Sequence, residues 1–371
     1  MKENVRFPNL DGLRFLGFLS VFLSHSFYTK NVFVQQQSLY VYLSKGQTFL
    51  ETDINFFFVL SGYLITHSLL QEEARTGHIN VPYFYARRLL RIWPLYYACL
   101  LFGFLVFPLL KSFLNLPKGE VANPLLYLTF LGNFDYIQHG IPTASFLGIL
   151  WSVAVVEQFY LIWPLLLKVV RSERVLLLIL LIVASVLFRY FNADNNTILY
   201  FHTLSTTTDL AVGALSAWLC LRFESVIAFF KGMKKLPIVG GYLMGMVLLV
   251  NLKTLFVGDW LIAFERLPVA VFFSFVILEQ NYAQRSFFKM TSSGFFSYWG
   301  RYTYGLYCFH LIVLLFVSRV FMLIRLEESI FTLALQSLLA LPITMAVSWV
   351  SYHYFEKYFL QWKKTFSVAR G

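Results

Sequence analysis

The sequence predicts an all-α polytopic membrane protein of about ten transmembrane helices, and three observations carry that prediction. First, 58% of the 371 residues are hydrophobic and only 13% are charged, against roughly 25% charged in soluble domains. A water-soluble fold cannot hide that much apolar surface. Second, the apolar residues come in runs of about 20, the length that spans a hydrocarbon layer of about 30 Å. Third, the basic residues fall in short clusters between those runs, as in cytoplasmic loops. That scatter argues against a nucleic-acid partner for the net charge of +11.

Ten spans follow in order, at 10–28, 49–70, 92–110, 147–167, 175–191, 202–221, 236–255, 262–278, 295–320 and 330–352. Lys2 and Arg6 precede the first. Each even-numbered span runs into a basic loop: Arg75 to Arg91, Lys168 to Arg174, Arg222 to Lys235, Arg285 to Arg301, and Lys357 to Lys364. Both termini are therefore expected in the cytoplasm. The apolar stretch 123–133 does not fit as a crossing, because counting it would put Lys168 to Arg174 outside. Its short length and Pro124 predict a re-entrant or interfacial segment on the outer face. Cys99, Cys220 and Cys308 sit inside apolar runs without metal-ligand spacing, so no metal is expected. No cleavable signal peptide, linker or repeat is evident. Residues 1–371 read as one membrane domain with no appended soluble domain.

An ionisable residue inside a span is costly and points to function or to pairing. Arg14 and His25 share the first span with ten residues between them. Eleven helical steps return to within about 20° of the same face, about 16 Å along the axis. That reach resembles the distance from a phosphate to the reactive end of an extended carrier such as coenzyme A. Arg14 would then lie at the phosphate end and His25 at the thioester end. The alternative is that Arg14 follows the positive-inside rule and His25 pairs with another polar group. A neutral imidazole suits general-base work on a sugar hydroxyl, worth about 10²–10⁴ in rate.

Glu157 stands mid-span in WSVAVVEQFYLIWPLL. It could orient His25, bind an acceptor hydroxyl, or hydrogen-bond a neighbouring helix. Tyr160 in the same segment and His310 in the ninth span are further acceptor-side candidates, and Asp209 in the sixth raises the same question. For His310 and Asp209, packing or hydrogen bonding is the plain alternative. Arg87, Arg88 and Arg91 precede the third span, with Arg87 and Arg91 on one helical face. Guanidinium groups grip phosphates, although topology and anionic headgroups explain such a cluster too. Asp53 at the outer end of the second span is a third acceptor-side candidate, and Gly62 beside Ser61 permits close approach of a neighbour or a ligand.

Together these stretches resemble the membrane-bound acyltransferase family that includes bacterial polysaccharide and peptidoglycan O-acetylases (acyltransferase 3 type). LDGLRFLGFLSVFLSH, DINFFFVLSGYLI, FYARRLLRIWPLYY, WSVAVVEQFYLIWPLL, WGRYTYGLYCFH and SYHYFEKYF occur in the family's order and cover most of the chain. The resemblance implies a ten-helix domain, an acyl-CoA donor (commonly acetyl-CoA) and a carbohydrate acceptor, in the bacterial inner membrane. It implies an essential Arg14 and His25, phosphate binding by Arg88 and Arg91, and a role for the Ser61-Gly62-Tyr63 motif. One departure stands out. The family has two adjacent acids before Gln-Phe-Tyr, and Val156 occupies the first position here. Whether His25 acts as base or transiently carries the acyl group stays open. A transporter of a lipid-linked sugar is the rival class; its usual repeated halves and paired broken helices are not evident here.

Overall fold

A computed structural model describes residues 7–41, 52–113 and 119–366. The described residues are overwhelmingly helical and contain no strand. The first long helices are α1 (Pro8–Ser26), α2 (Asp53–Thr76) and α3 (Val81–Phe113). Two short ones follow, α4 (Pro124–Leu128) and α5 (Gly132–His139), then α6 (Ser145–Val169), α7 (Arg174–Tyr190) and α8 (Asn196–Arg222). The remainder are α9 (Glu224–Gly232), α10 (Lys235–Val250), α11 (Asp259–Tyr282), α12 (Gly294–Leu323) and α13 (Ile330–Trp362).

Helix covers most of every predicted span among the described residues. Among the described residues, seven helices are long and apolar enough to cross a membrane: α2 from Ile54, α3, α6, α8, α11, α12 and α13. The pair α9–α10, bent by 98°, makes an eighth if it counts as one span. The predicted ten exceeds this for a physical reason. α1 carries Asn9, Asp11, Arg14 and His25, which lower its hydropathy. α7 has only 17 residues, about 25 Å of rise. The expected interfacial stretch folds as α4 and α5, both too short to cross. Asn123 caps α4 by accepting from the Leu125 N–H at 3.0 Å, and both Asp135 oxygens accept from the Asn123 N–H.

The described chain forms two compact units. One comprises Met1–Leu60, Arg222–Val257 and Leu267–Trp349, the other Ser61–Leu221, Gly258–Arg266 and Val350–Gly371. In the first unit, α1 starts at Pro8, whose missing N–H costs nothing in the first turn. Its stripe of Leu10, Leu13, Phe15, Phe18 and Phe22 is buried, and it packs along α12 and the 290–292 turn. At Gly300 the approach is backbone to backbone. A Cβ there would stand 1.8 Å from the Asp11 carbonyl oxygen.

In the second unit, buried charges join helices. Arg189 of α7 is 1% exposed. It donates to Glu265 at 2.9 Å, to Ser205 Oγ at 2.9 Å, and to the Ile262, Ala263 and Leu199 carbonyls. Arg266 pairs with fully buried Asp209 at 2.5 Å. Asp209, raised in the sequence as a possible site residue, is thereby accounted for. Gly62 of α2 lies against α8, where an added Cβ would be 2.0 Å from the Leu210 carbonyl oxygen.

Gly300→Ala and Gly62→Ala should each force two backbones apart and cost about 1–3 kcal/mol, as overpacking does. Thermal melting of the detergent-solubilised variants reads this directly. Melting unchanged from wild type in both would show that the helices separate without cost.

Candidate functional site

The sequence-derived residues divide between the units, and each group is built locally. In the first unit, α1 is continuous across Arg14 and His25, so the rise of about 16 Å between them stands. Arg14 donates from Nη1 to Asp11 Oδ1 at 2.6 Å, one turn back on the same helix. At the other end of α1, His25 Nδ1 lies 2.8 Å from His310 Nε2 of α12. The two rings are stacked, with centroids 5.1 Å apart and planes at 17°.

His310 is fully buried. Its Nδ1 is 2.6 Å from the Tyr307 carbonyl oxygen, and the edge of Phe18 packs on its ring at 5.9 Å. His25 is only partly buried, and among the described residues its Nε2 has no hydrogen-bond partner. The structure thus sets His310 behind His25, away from any exposed face, where the sequence suggested an acceptor-side position. Asp53 begins α2; the placement of its side chain lies outside the described residues.

The second unit holds the arginines. Arg87 donates from Nη2 to Glu72 Oε2 at 2.7 Å and from Nη1 to the Phe366 carbonyl at 3.0 Å. Glu72 Oε1 also accepts from the Asn80 N–H at 3.0 Å, and Asn80 caps α3 through the Tyr83 N–H at 3.1 Å. Arg87 therefore braces the corner between α2 and α3. Arg88 is different. Its guanidinium lies over the Phe84 ring at 5.5 Å and the Tyr160 ring at 5.3 Å. Among the described residues it has neither a hydrogen bond nor an ion pair. Arg91 is exposed.

Glu157 stands one turn before Tyr160 on α6. Its Oε2 accepts from Trp93 Nε1 at 3.0 Å, while its Oε1 is buried without a partner among the described residues. Neighbouring Gln158 is fully engaged instead, donating to Asn133 Oδ1 at 2.9 Å and the Phe130 carbonyl at 2.7 Å, and accepting from Thr203. So the unit brings Arg88, Tyr160, Trp93 and Glu157 into one neighbourhood. Ser61 and Gly62 lie on α2, and the close approach of Leu210 explains the glycine. Sequence reasoning missed Glu72, Trp93 and the pairing of the two histidines. The one available signal was that His310 closes the motif WGRYTYGLYCFH.

A helical multi-pass membrane protein with ionisable side chains built into its helices is the class these observations define. The chain belongs to the acyltransferase-domain family of the acyltransferase 3 type, whose profile matches residues 7–353. It is 27% identical over 331 residues to the O-acetyltransferase OatA of Staphylococcus aureus, covering 84% of this chain and 51% of that protein. It is 31% identical over 198 residues to the peptidoglycan O-acetyltransferase OatA of Listeria monocytogenes, covering 49% of this chain and 29% of that protein. The chain thus spans about half the length, or less, of these curated relatives. No solved structure matches it.

Breaking the corner pair by Glu72→Ala strands the Arg87 guanidinium, and removing one partner of a buried pair costs on the order of 3 kcal/mol. The double variant Glu72→Ala/Arg87→Met should recover much of that loss in a thermal melt. A loss in the double variant equal to the sum of the singles would mean that the two side chains do not act as a pair.

Proposed function

We propose that this chain transfers an acyl group, acetyl in the first instance, from cytoplasmic acyl-CoA to a hydroxyl of an extracytoplasmic or lipid-linked sugar. The observation that carries the reading is His25, a partly exposed imidazole in a membrane helix with one nitrogen held and the other open. Family membership supports acyl transfer as the reaction class. The Listeria relative, a peptidoglycan O-acetyltransferase, points to peptidoglycan as the first acceptor to try.

In the proposed reaction the acceptor O–H gives its proton to His25 Nε2 as its oxygen attacks the thioester carbonyl carbon. The C–S bond then breaks, and the departing CoA thiolate takes the proton from His25. The donor-phosphate roles of Arg14, Arg88 and Arg91 rest on the resemblance of their motifs. For Arg88 there is added support in its chemistry. A guanidinium lying over two ring faces, with its donors uncommitted among the described residues, is prepared for an anion. Glu157, with one oxygen held by Trp93 and the other free, is proposed as an acceptor-binding carboxyl.

The topology that goes with this reading has ten crossings, made by the seven long helices, the α9–α10 pair, α1 and α7. Both termini are then cytoplasmic, in the bacterial inner membrane. The sharp bend lets α9, with Lys231 in its last turn, lie along the cytoplasmic surface while α10 crosses.

The test is turnover of radiolabelled acetyl-CoA by purified protein with peptidoglycan fragments as acceptor. His25→Ala should lower kcat by about 10²–10⁴ while keeping its melting temperature. Arg88→Ala should raise KM for acetyl-CoA about tenfold, the loss of one charge-assisted contact. Undiminished transfer by His25→Ala would sink the catalytic role. Well-folded wild type that consumes no acetyl-CoA with any sugar acceptor would sink the donor assignment.

A further inference from the structure

The two histidines fix each other's protons. A backbone carbonyl oxygen only accepts, so the 2.6 Å contact from His310 Nδ1 to the Tyr307 carbonyl requires a proton on that Nδ1. A neutral imidazole carries one ring proton, which leaves His310 Nε2 with a bare lone pair. Between His310 Nε2 and His25 Nδ1, 2.8 Å apart, there is room for a single proton. In the neutral pair it belongs to His25 Nδ1. His25 Nε2 is then unprotonated, and it is the nitrogen without a partner among the described residues.

We infer that His310 is a positioning residue that locks His25 in the Nδ1–H tautomer, so that the lone pair of Nε2 is the one presented to substrate. The inference rests on the acyl-transfer reading above and deepens it. It holds whether His25 acts as base or briefly carries the acyl group, because both roles need that lone pair. His310 cannot itself touch substrate, being fully buried with both ring nitrogens engaged. When His25 Nε2 takes up the acceptor proton, the charge that develops is shared toward His310, which accepts a stronger hydrogen bond from the imidazolium. No proton need leave the pair. The chain is oriented from the backbone outward, with Tyr307 C=O fixing His310 and His310 fixing His25. A second group that sets tautomer and ring angle is the general logic of oriented catalytic histidines.

Two variants separate orientation from mere packing. His310→Leu keeps bulk but removes the acceptor for His25 Nδ1–H. His310→Gln can set its amide oxygen where Nε2 stands and accept the same proton. His310→Leu should lower kcat roughly 10²-fold or more, with KM for acetyl-CoA unchanged within about threefold. His310→Gln should restore kcat to within about tenfold of wild type. Wild-type kcat in His310→Leu overturns the inference, as does a well-folded His310→Gln that is no better than His310→Leu.

Should either variant fail to fold, the wild-type protein still decides. Nitrogen-15 spectra of protein labelled at its seven histidines, with His25→Ala identifying the signals of His25, report the tautomer directly. A protonated Nδ1 and bare Nε2 on His25 is the expected result, and a protonated Nε2 overturns the proposal. That measurement needs no turnover. A wild type that fails to consume acetyl-CoA would therefore defeat the proposed function while leaving the tautomer to be read on its own.

Discussion

The contact between the Asp11 carbonyl and the backbone at Gly300 governs what the first unit can do. α1 is a helix whose buried face is built from large rings, Phe15, Phe18 and Phe22. Such a face would normally hold a neighbouring helix about 8–10 Å away. At its N-terminal end it comes much closer, because neither Gly12, set against Met290, nor Gly300 has a side chain to interpose. Close approach there fixes where α1 lies along the start of α12. The pairing further along then follows: Phe18 packs edge-to-face with the His310 ring, and His25 Nδ1 meets its Nε2. The register of α1 is thus set by small residues at one end and by a polar contact at the other. A slip of one residue would turn His25 by about 100° away from its partner.

The helical architecture was legible because lipid imposes a simple code. A run of about 20 apolar residues has to become helix to satisfy its own backbone, and helix covers each predicted span. What hydropathy could not weigh was a helix like α1, whose polar residues are the reason to be interested in it. Nor could it see breaks inside a span, such as those that divide α8 and α12 into successive helical pieces. The site was legible in its residue types and illegible in its pairings. His25 and His310 are 285 positions apart, and no helical period connects them. Nothing in the sequence says which of Arg87, Arg88 and Arg91 has a protein partner, because topology alone makes arginines cluster there. Glu72, fifteen positions before Arg87, separates them physically by claiming one and leaving the next to aromatic rings.

That separation exposes a general division among the polar groups of this chain. Burying an ionised or hydrogen-bonding group away from water is costly unless its partners are supplied. Most of the buried groups here have theirs. Arg189 makes five hydrogen bonds across α7, α8 and α11. Arg174 holds Glu73 and the Leu167 carbonyl, and Asp209 holds Arg266. Glu279 accepts from Tyr242, Gln280 and Ser286. Each set is closed, and a closed set is what a helix joint requires.

Besides Tyr127 Oη, Thr208 Oγ1, Ser274 Oγ and the Asn281 amide, three candidate site groups are left open among the described residues: Nε2 of His25, the guanidinium of Arg88, and Oε1 of Glu157. Each sits beside a group that is itself firmly held, by His310, by the Phe84 and Tyr160 rings, and by Trp93 respectively. Here one atom of each residue is fixed and another is left bare, and the orientation is maintained at the cost of an unmet hydrogen bond or charge. Within each unit taken by itself, polar capacity held in a fixed direction is open to a bond with something other than the protein. In the proposed reaction these groups would serve as base, phosphate-binding cation and acceptor-binding carboxyl.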